Sequence, residues 1–107
     1  MAAHPTIHFA RRARRDIAEI YAWIAADASK ERAEIITSRI DAAISQVALF
    51  PFLGRAHSDF PGDPRSHQIR PWQIIYQPLP TGKGITVIRV LDSRRDVANV
   101  LETGATA

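Results

Sequence analysis

The first apolar positions alternate. In "TIHF", residues 6–9, Ile7 and Phe9 fall on one face, which predicts a short strand. From about Arg11 the spacing becomes helical: Ala13, Ile17, Ile20, Tyr21 and Ile24 recur every three or four residues, while Arg12, Arg15 and Glu19 fall mostly on the other side. This predicts an amphipathic helix to about Ala26. "DAS" interrupts it, and Ser29 is placed to cap a second helix, with Glu31 and Glu34 near its positive end. Ile36, Ile40, Ala43, Ile44 and Val47 make the second apolar stripe. Pro51 ends it, because a residue before proline avoids helical backbone. Two helices separated by so short a break predict an antiparallel hairpin.

Residues 51–66 carry Pro51, Gly54, Pro61, Gly62 and Pro64, which predicts an irregular connection. Three β-rich runs follow, "HQIR", "WQIIYQ" and "ITVIRVL", with Pro71 marking a turn after the first and "LPTGKG" a hairpin loop after the second. Tyr76 lies in the middle run, where a packed core tyrosine is expected. Alternation along the last run puts Arg89 on one face with Leu91, opposite Ile88 and Val90. The tail resumes a helical pattern: Ser93 with Asp96 resembles a capping box, followed by Val97, Val100 and Leu101. The order is β-α-α-β-β-β-α, an α+β fold with a helical hairpin packed on a small antiparallel sheet. No repeat or low-complexity segment divides residues 1–107, so a single domain is expected.

Composition narrows the class. Of the 107 residues, 46% are apolar and 23% charged, a globular rather than a disordered balance. No apolar run approaches the roughly 20 residues of a membrane span, and the arginines of "MAAHPTIHFARRARR" follow a very short apolar run, the reverse of a secretory signal. The absence of cysteine excludes disulfides and thiolate metal sites and suits the cytoplasm. Charge is more informative by position than by its total of +3: residues 65–95 hold six bases (Arg65, Arg70, Lys83, Arg89, Arg94, Arg95) against one acid, Asp92. Arginine suits bidentate recognition of carboxylates or phosphates, and both ligands stay open on charge alone.

Four segments in order resemble one family. "ARRDIAEIYAWIA" (13–25), "FPFLGR" (50–55), Arg65 with "IIYQ" (74–77) and "RVLDSRRDV" (89–97) are similar to the ParE branch of the RelE/ParE toxins of type II toxin–antitoxin systems. Asp92 and Ser93 stand where that family often has His and Gly. The resemblance implies a growth-inhibiting toxin, neutralised in a hetero-oligomeric complex by a co-produced acidic, ParD-like antitoxin. ParE-like members are associated with DNA gyrase, whereas RelE-like members cleave messenger RNA in the ribosomal A site.

The residues bear on that choice. RNA cleavage by 2′-OH attack needs a base, an acid and cations for the phosphorane. The tail after Asp96, "VANVLETGATA", supplies no Tyr, His, Lys or Arg. His57 or His67 with Arg70, Arg89 or Arg94 would be an improvised set lacking a clear acid, so no catalytic residue is assigned. Pro5 keeps His4 and His8 off one helical face, and no metal or other cofactor is expected. The expected function is therefore docking. Arg70, Arg89, Arg94 and Arg95 are candidates for a basic surface that receives antitoxin carboxylates, and Trp23 and Trp72 for the apolar groove beside the hairpin. Arg11, Arg12, Arg14 and Arg15 are candidates for contact with the target, and sequence-specific nucleic-acid binding is not expected. A RelE-type ribonuclease and an inactive antitoxin-binding remnant are the competing readings.

Overall fold

The computed structural model describes residues 4–92 and residue 101. The expected third helix, and Arg94 and Arg95 with it, lies outside the described residues apart from Leu101. Strand β1 (Thr6–Phe9) leads into helices α1 (Arg11–Asp27) and α2 (Lys30–Leu49). Strands β2 (Arg55–Ala56), β3 (Arg65–Ile69), β4 (Trp72–Pro78) and β5 (Gly84–Asp92) follow. They form one sheet in the order β1-β5-β4-β3-β2.

The α+β class and the helical hairpin are as the periodicity predicts, but the sheet is mixed. β1 runs parallel to β5, Thr6 to Gly84 through Phe9 to Val87, while the other pairs are antiparallel. Gly84 makes that pairing possible: its φ is +135°, and a side chain there would collide with the Thr6 backbone. The two-residue β2, inside a segment read as irregular, is the other addition.

The two helices begin differently. Ser29 caps α2, its hydroxyl accepting from the Arg32 N–H at 3.0 Å. α1 starts at Ala10 with no side-chain cap and no acid in its first turn, so its opening arginines sit at the positive end of the dipole. Tertiary packing must hold it. Ala13, Ile20 and Ile24 of α1 and Ile40, Ile44 and Val47 of α2 close over Ile74, Tyr76, Ile85, Val87 and Val90 of the sheet. On the opposite face Ile75, Ile88 and Leu91 form a second cluster, against which Leu101 packs.

Tyr76 is fully buried, as its central position predicts, and it also works as a fastener. Its hydroxyl donates to the Pro51 carbonyl and accepts from the Gly54 N–H, both at 2.8 Å. Burial raises the phenol pKa, against smaller opposing effects of the Gly54 N–H and the Arg65 cation. Arg65 adds two bonds, to the carbonyls of Phe52 (3.1 Å) and Gly54 (2.8 Å). The "FPFLGR" segment is thus bound down by β3 and β4. A Cβ on Gly54 would lie 2.6 Å from the Tyr76 hydroxyl oxygen and 2.7 Å from the Ser66 carbonyl oxygen. Gly54→Ala is expected to destabilise the protein by about 1–3 kcal/mol through this overpacking, measurable by urea denaturation.

Candidate functional site

The region that could receive a partner is built from the exposed flank of α1 and the groove-side ends of β4 and β5. Positions 12, 16, 19, 20 and 23 follow one side of α1 at helical spacing. Arg12, Asp16, Glu19, Ile20 and Trp23 therefore form one wall, and Trp72 with residues 89–92 forms the other. A second hollow continues past the same two tryptophans, between Ile24, Asp27, Ala28, Arg32 and Ile36 on the helices and Pro71 on the turn. Trp23 and Trp72 line both hollows, so the two make one continuous groove.

The inner end of the groove is an ion pair. Asp16 is 5% exposed and Arg89 8%. Arg89 donates through Nε to Asp16 Oδ2 at 2.7 Å and through an Nη to Oδ1 at 3.2 Å. Oδ2 also accepts the Val90 N–H at 3.0 Å, and Arg12 Nε stands 3.6 Å from Oδ1. One carboxylate thus fastens α1 to the middle of β5.

This corrects the expectation for Arg89. Strict alternation predicts it on a basic docking surface, sharing a face with Leu91, but it is buried and paired with Asp16. The cause is a register shift between β4 and β5 at Ile75/Tyr76, where Ile75 pairs with Arg89 but Tyr76 with Val87. A residue is inserted on β5, simple alternation fails, and Ile88 and Leu91 end on the same far face while Arg89 turns to α1.

The other candidates are dispersed. Trp23 is 63% exposed, unusual for so large an apolar side chain, and Trp72 is half-buried across the groove. Arg70 is exposed in the turn before Pro71 and does not line the groove. Of the α1 arginines, Arg12 turns into the groove, Arg14 stacks on the Phe9 ring at 5.0 Å, and Arg11 and Arg15 are exposed. Among the described residues, the groove rim carries Arg12 and Arg32 but also Glu19 and Asp27. Its character is aromatic.

Sequence reasoning missed Asp16, although it stands in phase with Ala13, Ile20 and Ile24 on the buried stripe. A lone carboxylate on a core face is a signal for a buried cation. At the other end of the chemistry, Trp72 Nε1 and Gln73 Oε1 are buried and have no hydrogen-bond partner among the described residues. Both open β4 at the groove end.

His57, a candidate base, is tied to structure: its Nε2 is 2.9 Å from the Ser66 hydroxyl, and its backbone N–H donates to the Pro64 carbonyl. Burial, and secondarily the Arg55 cation, lowers its pKa below the usual 6.5. The unfolded chain therefore binds this proton more readily. The contribution is intact above the unfolded pKa and is lost as pH falls through it toward the lower folded value. Stability should decline between about pH 7.5 and pH 5, and His57→Asn should reduce that decline, as followed by denaturation at the two pH values.

A groove between two tryptophans, with the Asp16–Arg89 pair at its inner end, lies on a small α+β protein of two helices packed against a mixed five-stranded sheet. Residues 7–97 match the family model of the ParE toxin of type II toxin-antitoxin systems, parDE, and the chain belongs to that family. It is 33% identical over 61 residues to Toxin ParE3 of Caulobacter vibrioides, an alignment spanning 57% of this chain and 59% of that protein. The fold is similar to a solved chain from the chromosomal ParDE TA system of P. aeruginosa, with a TM-score of 0.66, 23% identity, and coverage of 83% of this chain and 96% of that one.

Proposed function

We propose that the protein is the toxin of a parDE-type pair, held inactive by a cognate antitoxin whose amphipathic segment lies in the Trp23–Trp72 groove. The observation that carries this reading is the exposed Trp23 indole facing a second tryptophan across a preformed groove. Aromatic anchors of this kind dominate helix-in-groove binding. Family membership supports an antitoxin partner, here an acidic, ParD-like chain in a hetero-oligomeric complex. Arg12 and Arg32 on the rim fit its carboxylates.

The released toxin acts by binding a cellular target, DNA gyrase, in the cytoplasm. No helix among the described residues is long and apolar enough to cross a membrane. Two of the groups considered for RNA cleavage are engaged internally, Arg89 by Asp16 and His57 by Ser66, which favours binding over strand scission. The test is a supercoiling assay with purified protein. Inhibition that the antitoxin relieves supports the reading. Cleavage of transcripts on translating ribosomes, with supercoiling untouched, contradicts it.

A further inference from the structure

A second apolar surface lies away from the tryptophan groove. Leu49, Phe50, Phe52 and Leu53 are 60%, 63%, 65% and 51% exposed. Isolated exposed apolar residues are ordinary, but four within five positions form a patch. The patch is rigidly displayed. Pro51 and Gly54, between and beside these side chains, are buried under the Tyr76 hydroxyl, and Arg65 holds the Phe52 carbonyl while its guanidinium lies 4.9 Å from the Phe52 ring centroid. The backbone is ordered before any partner arrives, which reduces the entropy lost on binding.

Its position and charge indicate what it meets. Trp72 opens β4 at the groove, whereas Pro78 closes it and lines a hollow with Phe52 and Arg65. Six residue steps at about 3.3 Å separate these ends by roughly 20 Å, and the groove and the Phe52 hollow share no lining residue. Leu49 lines a further hollow with His4 and Lys83 and no acidic side chain. Arg55 is exposed beside the patch, and Asp63 is the one acid lining the Phe52 hollow. Among the charged side chains at the patch and its two hollows, Arg55, Arg65 and Lys83 outnumber Asp63, with Asp59 exposed further along the same connection.

We propose that this patch docks the toxin's target protein, through a surface with an apolar recess rimmed by carboxylates, and is separate from the antitoxin groove. The inference rests on the toxin reading above. Opposite charge steers such an encounter, and the fixed phenylalanines supply the desolvated centre.

The test uses the full chain carrying Phe50→Glu and Leu53→Glu, both exposed and therefore tolerable to folding, with thermal denaturation as the check. Antitoxin affinity is expected to stay within about twofold, while growth inhibition falls by about tenfold or more, and Arg55→Glu with Lys83→Glu weakens inhibition in the same direction. Loss of antitoxin affinity in the Phe50/Leu53 variant would overturn the proposal by assigning the patch to the antitoxin. Unchanged growth inhibition would also overturn it, including where the variant converts a dimer to a monomer and the patch proves to bind a second copy. A wild-type chain that stops growth without affecting supercoiling would contradict the gyrase assignment while leaving the patch test intact.

Discussion

Arg89→Ala is expected to destabilise the fold by about 3–5 kcal/mol, the usual cost of leaving a buried charge without its partner. The carboxylate of Asp16 would keep the Val90 N–H but lose both guanidinium bonds, with Arg12 the one remaining cation near it among the described residues, at 3.6 Å. Asp16→Ala should cost a similar amount, because it strands Arg89 and also frees the Val90 N–H. A paired replacement of similar volume, Asp16→Leu with Arg89→Met, should recover much of the loss, since the pair offsets its own desolvation rather than adding net stability. Urea denaturation of the three variants decides the matter. Two single variants within about 1 kcal/mol of wild type would mean that the pair is solvated and does not fasten α1 to β5.

Trp23→Ala carries the second large effect, on binding. Because Trp23 projects from α1 with most of its surface exposed, its removal should alter stability little. Antitoxin affinity should instead fall by about 2 kcal/mol or more, roughly 30-fold, as for a central aromatic anchor. Trp72→Ala should weaken binding comparably but also destabilise the fold, because Trp72 packs against the main core. The split between the two variants is therefore diagnostic. Titration calorimetry with the antitoxin, alongside thermal denaturation, measures both quantities. Equal stability losses with no change in affinity would remove the groove from the interface.

The contrast between Arg89 and Trp23 shows how far the sequence carried. Helices α1 and α2 and strands β1, β3, β4 and β5 were legible because their apolar spacing is set by local geometry, and Ser29, Pro51 and the "LPTGKG" loop mark their ends through local backbone chemistry. Trp23 was legible because it falls off the apolar stripe of its own helix. Arg89 was not, since its orientation depends on a bulge between two strands, a property of pairing that neither strand expresses alone. The parallel β1–β5 ladder is likewise non-local, joining Thr6 to Gly84 across the whole hairpin. "FPFLGR" was legible as a motif, but its reason emerges only when Tyr76 and Arg65 are seen holding it.

The chain has two tryptophans, and both line the groove, so its intrinsic fluorescence reports directly on that site. In a Trp72→Phe variant, Trp23 is the sole tryptophan, and its exposed indole, excited selectively over the tyrosines, should emit at long wavelength in the free protein. Titration with the antitoxin should shift that emission to the blue and saturate with complex formation, as the indole passes from water into an apolar interface. If the complex forms by an independent assay and the Trp23 emission does not move, the antitoxin binds elsewhere and the groove account is wrong.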